Sequence, residues 1–125
     1  MSSEHPVSPH LQIYRLPLAA LLSISHRITG VLLTAAAVVL AFLIAAAAYA
    51  PGLWQAAMTG VQHPLGQILL LAWTFALAFH LCTGIRHLVW DACIGLSMPA
   101  VRASNWLVLA GSTTLTIVVW AWIWA

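Results

Sequence analysis

The segment HLCTGIRHLVWD, residues 80–91, carries the side chains of this sequence best suited to bind a metal cofactor. His80, Thr83, Gly84, His87 and Asp91 recur at spacings of three to four residues, which places them along one side of a helix. His80 lies about six or seven residues, or ~10 Å, inside the end of an apolar stretch. An imidazole at that depth indicates a functional site, and neutral imidazole is a good ligand for iron.

A b-type haem that carries electrons takes one axial His from each side of the flat macrocycle. No second His of this sequence lies at the depth of His80, so the other ligand is expected from another subunit. Gly84, one turn from His80, would leave space for the porphyrin. The propionates would point to the nearby helix end, where four basic side chains would neutralise them: Arg27, Arg86, His26 and His87. The alternatives are a helix-to-helix hydrogen bond from His80 and a packing role for Gly84.

A second polar group lies in the segment SISHRITG, residues 23–30, directly before an apolar run. Ser23, Arg27, Gly30 and Thr34 share one helix face, and His26 lies beside that face. Pro17 suits a first helical position, so the helix is expected to begin before the hydrocarbon and to carry this stripe through the interface. The alternative is an interfacial anchor in which Arg27 extends to the headgroups.

The elements that must position these residues are membrane helices. Hydrophobic residues make up 63% of the 125 residues and charged residues 5%, and a soluble domain of this size needs a more charged surface. Three apolar stretches approach the ~20 residues that cross a bilayer, and every spanning segment must satisfy its own backbone. The sequence predicts one all-α membrane domain with spans at about 21–50, 65–92 and 104–125, joined by a short loop over 51–64 and a break at 97–99. The third span carries Asn105 and several small or hydroxylated residues but no ionisable group; residues of this kind usually pack helix against helix, and no chemistry is assigned to the span.

Orientation follows from the four arginines, the only basic residues besides His. Two flank the first span on the side of the predicted cytoplasmic N-terminal segment, residues 1–20, and two flank the connection between the second and third spans: Arg15 and Arg27, then Arg86 and Arg102. The positive-inside bias predicts a cytoplasmic N-terminus and a periplasmic C-terminus, with Trp120, Trp122 and Trp124 at the outer face. Neither a signal peptide nor a mitochondrial transit segment is expected, which favours a bacterial inner membrane. Cys82 and Cys93, eleven residues apart on one predicted helix, are too distant for a disulfide.

Three segments resemble the cytochrome b large membrane-anchor subunits of succinate dehydrogenase, respiratory complex II. They are PVSPHLQIYRLP at 6–17, SISHRITG at 23–30 and HLCTGIRHLVWD at 80–91, in the order and spacing of that family. The patterns SxxHRxTG and HxxxGIRHxxxD are specific when they occur together. The resemblance extends to about Asp91, and the third span matches only in being hydrophobic.

The resemblance implies three transmembrane helices that form half of a helical bundle, completed by a small membrane-anchor subunit. His80 would be one axial ligand of haem b, and the small anchor subunit would supply the other. Ser23 would hydrogen-bond a quinone carbonyl, and Arg27 would line the quinone site and reach toward a haem propionate. His26 and His87 would belong to the haem environment, and SPHLQIY, residues 8–14, would contact the iron–sulfur subunit.

The function implied is that of an anchor for the flavoprotein and iron–sulfur subunits, at which ubiquinone is reduced in the respiratory chain and tricarboxylic acid cycle. A quinone has a lipid-soluble tail and a polar head, and SISHRITG lies where hydrocarbon would meet hydrogen-bond donors. The chain would oxidise no succinate itself, and nucleic acid is not among its expected partners. A fumarate reductase anchor and a haem-free structural anchor stay open as alternatives, as does a trimer of heterotetramers. A small transporter or channel subunit is disfavoured, because no span carries a buried acid and no pair of broken helices appears.

Overall fold

The computed structural model describes residues 15–125. The segment SPHLQIY, predicted to contact an iron–sulfur subunit, lies outside the described residues. Residues 15–125 form no strand and four helices: α1 (Leu18–Tyr49), α2 (Pro51–Gln62), α3 (Pro64–Asp91) and α4 (Met98–Trp124). The helices α1, α3 and α4 have 32, 28 and 27 residues and are long and apolar enough to cross a membrane. The all-α class with three membrane-spanning helices is thereby confirmed.

The segment over 51–64 differs from the predicted loop. It forms α2, a helix of 12 residues, which at ~1.5 Å per residue is too short to cross ~30 Å of hydrocarbon. The physical reason is the position of the prolines, since Pro51 and Pro64 each occupy the first turn of a helix, where a missing N–H breaks no hydrogen bond. Pro99 does the same in α4, which therefore begins at Met98, ahead of the apolar run.

The helix α3 is central and packs against both α1 and α4. Leu22, Phe79 and Val108, one residue from each long helix, form a small buried cluster. The turn from α2 to α3 is tight, because a Cβ on Gly66 would collide with the carbonyl oxygen of Gly60. Large apolar side chains are exposed on all three long helices, for example Phe42 at 72% and Leu107 at 71%. These surfaces suit lipid or another membrane subunit rather than water.

The end of α3 separates the two cysteines. Cys93 lies two residues beyond the helix with φ of +57°, and its N–H donates to the Trp90 carbonyl at 2.9 Å. The N–H of Ile94 donates to the Val89 carbonyl at 3.1 Å, which completes a Schellman motif. The prediction that Cys82 and Cys93 share one helix is therefore wrong, and both are free thiols.

Candidate functional site

Two imidazoles meet where α1 and α3 pack. The rings of His26 and His80 are stacked, with centroids 4.0 Å apart and planes 12° apart. His26 is four residues after Leu22, the residue by which α1 enters the buried cluster, so both lie on the α3-facing side of α1. The interface between α1 and α3 is thus built around the histidine that the sequence singled out in the second span.

The hydrogen bonds of His80 fix its tautomer. Its Nδ1 lies 3.1 Å from the carbonyl oxygen of His26 and 3.2 Å from Oγ1 of Thr29. A carbonyl oxygen only accepts, so Nδ1 carries the proton and donates it. The Thr29 hydroxyl uses its own proton on the same carbonyl, at 2.9 Å. The Nε2 atom therefore holds the lone pair, and no side-chain hydrogen bond from residues 15–125 reaches it.

Two glycines lie against the stacked pair. A Cβ added at Gly30 would lie 3.1 Å from Cε1 of His80, and a Cβ added at Gly84 would lie 3.7 Å from Cε1 of His26. Gly84 was expected to leave porphyrin space beside His80, but it lies opposite His26. The glycine that makes room for the His80 ring is Gly30 on α1. Gly30 belongs to the polar face of α1 that also carries Ser23 and Arg27, and this pattern is the sequence signal for its contact with His80.

His26 and His87 belong to the same cluster. The Nδ1 atom of His26 lies 2.6 Å from Oγ1 of Thr83, a residue with no exposed surface. The His87 ring is tilted against His26 with centroids 5.2 Å apart, and its other side meets the edge of Trp90. Between residues 15 and 125, no three His, Cys, Asp or Glu side chains are arranged to share a metal ion. The cluster is a stack of rings in which the Nδ1 atoms of His26 and His80 are both engaged in hydrogen bonds.

Ser23 and Arg27 lie on α1 one turn apart, beside His26. Ser23 is half-buried and Arg27 is exposed. Within the part of the chain that the structure describes, neither side chain makes a hydrogen bond to another residue. A hydroxyl and a guanidinium with free donors, next to two histidines near a helix end, form a surface able to bind a polar, partly negative head group.

Arg86 does not join this group, although it was expected to face a propionate together with Arg27, His26 and His87. Its guanidinium is 5% exposed, donates from Nη1 to Oδ1 of Asn105 on α4 at 2.8 Å and lies 4.6 Å above the Trp90 ring. The reason is helical periodicity, since six residues at 100° turn Arg86 about 120° away from His80. From the sequence, the polar residues of the third span, Asn105 among them, were assigned no chemistry beyond helix packing, and the partner of Asn105 depends on a contact between helices.

The pair of Arg86 and Asn105 yields a stability prediction. Asn105→Leu leaves a buried charged group without its hydrogen-bond partner, which should destabilise the protein by about 2–3 kcal/mol. The measurement is thermal denaturation in detergent, where Tm should fall. Ser104→Ala is the matched control, because the Ser104 hydroxyl bonds only its own helix at Val101. Adding Arg86→Leu to Asn105→Leu should recover part of the lost stability, because the buried charge is then gone. Equal Tm values for Asn105→Leu and Ser104→Ala would contradict the assignment.

The comparisons with known proteins all indicate the same family of membrane subunits. The model of the family described as "Succinate dehydrogenase/Fumarate reductase transmembrane subunit" matches residues 1–119. The chain is 44% identical over 112 residues to a "Succinate dehydrogenase cytochrome b556 subunit" of Paracoccus denitrificans, covering 90% of this chain and 86% of that one. A protein of the same name from Rickettsia felis is 40% identical over 118 residues, covering 94% of this chain and 92% of that one.

Proposed function

This chain belongs to the succinate dehydrogenase/fumarate reductase transmembrane subunit family, and from that premise we propose that it is the cytochrome b membrane-anchor subunit of a succinate:quinone oxidoreductase. Its three long helices tether a flavoprotein subunit and an iron–sulfur subunit to the membrane. Succinate is oxidised in the flavoprotein subunit, and this chain takes part at the quinone end of the electron path. A small membrane-anchor subunit completes the helical bundle.

His80 is proposed as one axial ligand of haem b. The observation that carries the proposal is the distance of 3.1 Å from His80 Nδ1 to the His26 carbonyl oxygen, which requires a proton on Nδ1 and in the neutral ring leaves the lone pair on Nε2. Metal-ligating histidines commonly donate their other ring N–H to a backbone carbonyl, which fixes the tautomer and the ring orientation. The residues present therefore fit the group. When bound, haem b would carry one electron at a time. The second ligand of its iron is proposed to come from the small anchor subunit.

The basic residues near His80 are proposed to face the haem carboxylates. Arg27, His26 and His87 lie at the same end of the bundle as His80, and His26 is in direct contact with it. Arg27 is exposed on α1 and offers donors that no residue in the described range 15–125 uses. Charge-assisted hydrogen bonds to carboxylates are roughly twice as strong as neutral ones, so these side chains favour a buried dianionic cofactor.

Ser23 and Arg27 are proposed to bind the quinone. Negative charge develops on the quinone oxygens during reduction, and a hydroxyl donor with a fixed positive charge stabilises it without reorganising water. Ser23 donates to a carbonyl oxygen of the ring, and Arg27 supplies the charge one turn further along α1. The isoprenoid tail then extends along the exposed apolar surface of the helices. Ubiquinone is the proposed substrate.

The orientation is proposed from the arginines. Arg15 and Arg27 flank the start of α1, Arg86 precedes the end of α3 and Arg102 follows the start of α4, so the four lie toward one end of the bundle. The opposite end carries α2, which has no charged residue. The positive-inside bias assigns the arginine end to the cytoplasm and the C-terminus to the periplasm of a bacterial inner membrane.

The test is the cofactor content of the complex isolated through a tag on this chain. We expect flavoprotein and iron–sulfur subunits in the isolate, succinate:ubiquinone reductase activity and one extractable haem b for each flavin. Isolation of this chain without soluble subunits would contradict the anchor role. A full set of subunits with no extractable haem would contradict the haem role and leave the anchor role standing.

Gly30→Ala is expected to disturb haem binding through His80. The added Cβ would lie 3.1 Å from His80 Cε1, so the imidazole must move by a few tenths of an ångström. Alanine itself favours the helix by about 1 kcal/mol, so a loss of haem cannot be attributed to a weakened α1. The measurement is haem content per flavin with the reduced spectrum, and Gly84→Ala, at ordinary contact distance from His26, is the control. The same haem content and spectrum in both variants as in wild type would refute the expected contact.

A haem-free anchor is the second candidate, because one observation favours it. His80 stacks on His26 and bonds Thr29 and the His26 carbonyl, contacts that join α1 to α3 without a cofactor. In that case the complex retains its subunits and lacks a b-type spectrum. A fumarate reductase anchor shares the architecture and the family description, and the relative rates of succinate oxidation and fumarate reduction distinguish the two.

A further inference from the structure

A cavity of about 330 Å³ lies between α3 and α4, at the end of the bundle that carries the arginines. Arg86, Trp90, Ala100 and Ser104 line it together with apolar side chains of both helices. We propose that this cavity binds the phosphate group of an anionic phospholipid. Arg86 lies about 120° around α3 from His80, so the site is separate from the proposed haem and quinone contacts and does not depend on them.

The first observation is a buried positive charge with unused donors. Arg86 is 5% exposed, and its Nη1 donates to Oδ1 of Asn105. The Nε and Nη2 atoms are buried and have no hydrogen-bond partner within residues 15–125. Asp91 is the one acidic side chain in that range, and it is exposed. Because a buried charge is costly unless it is paired, an anion in the adjacent cavity would stabilise the guanidinium.

The second observation is the N-terminus of α4, a helix of 27 residues that begins beside the same cavity. Ala100, in its first turn, lines the cavity. Ser97 provides no side-chain cap, and the first turn contains no acidic residue. The N–H of Val101 donates to the Ser97 carbonyl, so the N–H of Ala100, one residue earlier, has no acceptor within the helix. The partial positive charge of this helix end favours the same anion as Arg86.

The remaining lining favours a phospholipid over a free anion. Ile85, Val89 and Leu107 border the cavity and are 53%, 40% and 71% exposed. An acyl chain would cover this apolar surface, whereas inorganic phosphate would leave it bare. Arg86 lies five residues before the end of α3, which is about 8 Å along the helix axis and therefore close to the headgroup level of a bilayer.

The competing explanation is that the protein itself satisfies Arg86. The guanidinium lies 4.6 Å above the Trp90 ring, and such a cation–π contact is favourable. That contact uses the face of the guanidinium and leaves the N–H groups of Nε and Nη2 unpaired. It also gives no partner to the uncapped start of α4 on the same cavity. A carboxylate from a partner subunit is the other possible anion, and the test below distinguishes it from a lipid.

The test measures lipid bound to the intact complex in detergent by native mass spectrometry, with phosphatidylglycerol or phosphatidylcholine added. We expect the wild-type complex to prefer phosphatidylglycerol. Arg86→Gln should weaken phosphatidylglycerol binding about 10-fold, because a charge-assisted contact to the phosphate is lost. Arg102→Gln is the matched control, since it removes an exposed arginine of α4 and should leave the binding at the wild-type value.

Ala100→Glu keeps the proposal testable if Arg86→Gln folds poorly. A negative charge in the first turn stabilises a helix, so this variant should have a Tm no lower than wild type. Its carboxylate lies beside the cavity and would take the place of the lipid phosphate. We expect the preference for phosphatidylglycerol to be lost in this variant.

A wild-type complex that does not prefer phosphatidylglycerol would overturn the proposal, as would equal effects of Arg86→Gln and Arg102→Gln. Displacement of the lipid by equimolar inorganic phosphate would show a site for a free anion. Loss of a partner subunit from Arg86→Gln, with lipid binding unchanged, would show that a protein carboxylate pairs with Arg86, and both results contradict the lipid assignment. Isolation of this chain without soluble subunits would contradict the proposed function but would still allow bound lipid to be counted, so the two failures are distinguishable.

Discussion

Replacing His80 by alanine is expected to remove the six-coordinate, low-spin haem from the complex. The variant deletes the ring nitrogen proposed to bind iron, Nε2 of His80, whose partner Nδ1 lies 3.1 Å from the His26 carbonyl oxygen. With only the ligand proposed for the small anchor subunit left, haem should be either lost or held as a five-coordinate high-spin species. The optical spectrum and the electron paramagnetic resonance spectrum of the isolated complex measure both outcomes. We expect loss of nearly all low-spin signal.

The matched control is His63→Ala. His63 is exposed at the start of α3, at the other end of the helix from His80, where its ring accepts the Leu65 N–H at 3.3 Å. This variant loses a helix cap and an imidazole but should leave the haem spectrum unchanged. His80→Gln provides a second variant that retains a polar side chain for the α1 contact. An unchanged spectrum in both His80 variants would show that another residue ligates the iron.

Ser23→Ala and Arg27→Leu are expected to lower succinate:ubiquinone reductase activity while electron transfer from succinate to a soluble dye continues. Loss of a preorganised donor to developing negative charge reduces turnover by about 100-fold in enclosed sites. Because Ser23 is half-buried and Arg27 exposed, we expect a smaller reduction, roughly 10-fold for each. Parallel assays with ubiquinone and with dye on the same preparations measure the effect.

Two residues of the same types serve as controls for these variants. Ser25 lies two residues from Ser23 and therefore on a different side of α1, and Arg102 is an exposed arginine of α4. Ser25→Ala and Arg102→Leu should leave both activities near the wild-type values. If Ser23→Ala and Arg27→Leu reduce the dye and ubiquinone rates equally, the defect lies in assembly, and the quinone assignment is wrong.

The sequence predicted the membrane helices and the face of His80 because both depend on local pattern. Apolar runs of sufficient length specify spans, and spacings of three to four residues specify a helix face. It did not predict α2, because Pro51 and Pro64 were interpreted only as breaks between spans, and each also begins a helix. A proline can do either, and the distinction depends on which side of it the hydrogen-bonded turns continue.

The contacts between helices were the part that sequence reasoning could not supply. The hydrogen bond of His26 to Thr83 joins residues 57 positions apart, and its register is set by how α1 and α3 pack. In the sequence, Asn105 is only a polar residue in an apolar helix, and its hydrogen bond to Arg86 of α3 is visible only in the packed structure. Six residues at 100° place Arg86 about 120° from the face of His80, a difference that the spacing alone gives. A role of Arg86 at a haem propionate stays a prediction.

The role proposed for this chain at the haem depends above all on His80. The most direct test is a dithionite-reduced minus oxidised visible spectrum of the complex isolated through a tag on this chain. We expect the narrow α-band of a low-spin b-type haem in the wild-type complex and its loss in His80→Ala. A wild-type complex with flavoprotein and iron–sulfur subunits attached and no b-type band would contradict the claim and leave His80 as a packing residue between α1 and α3.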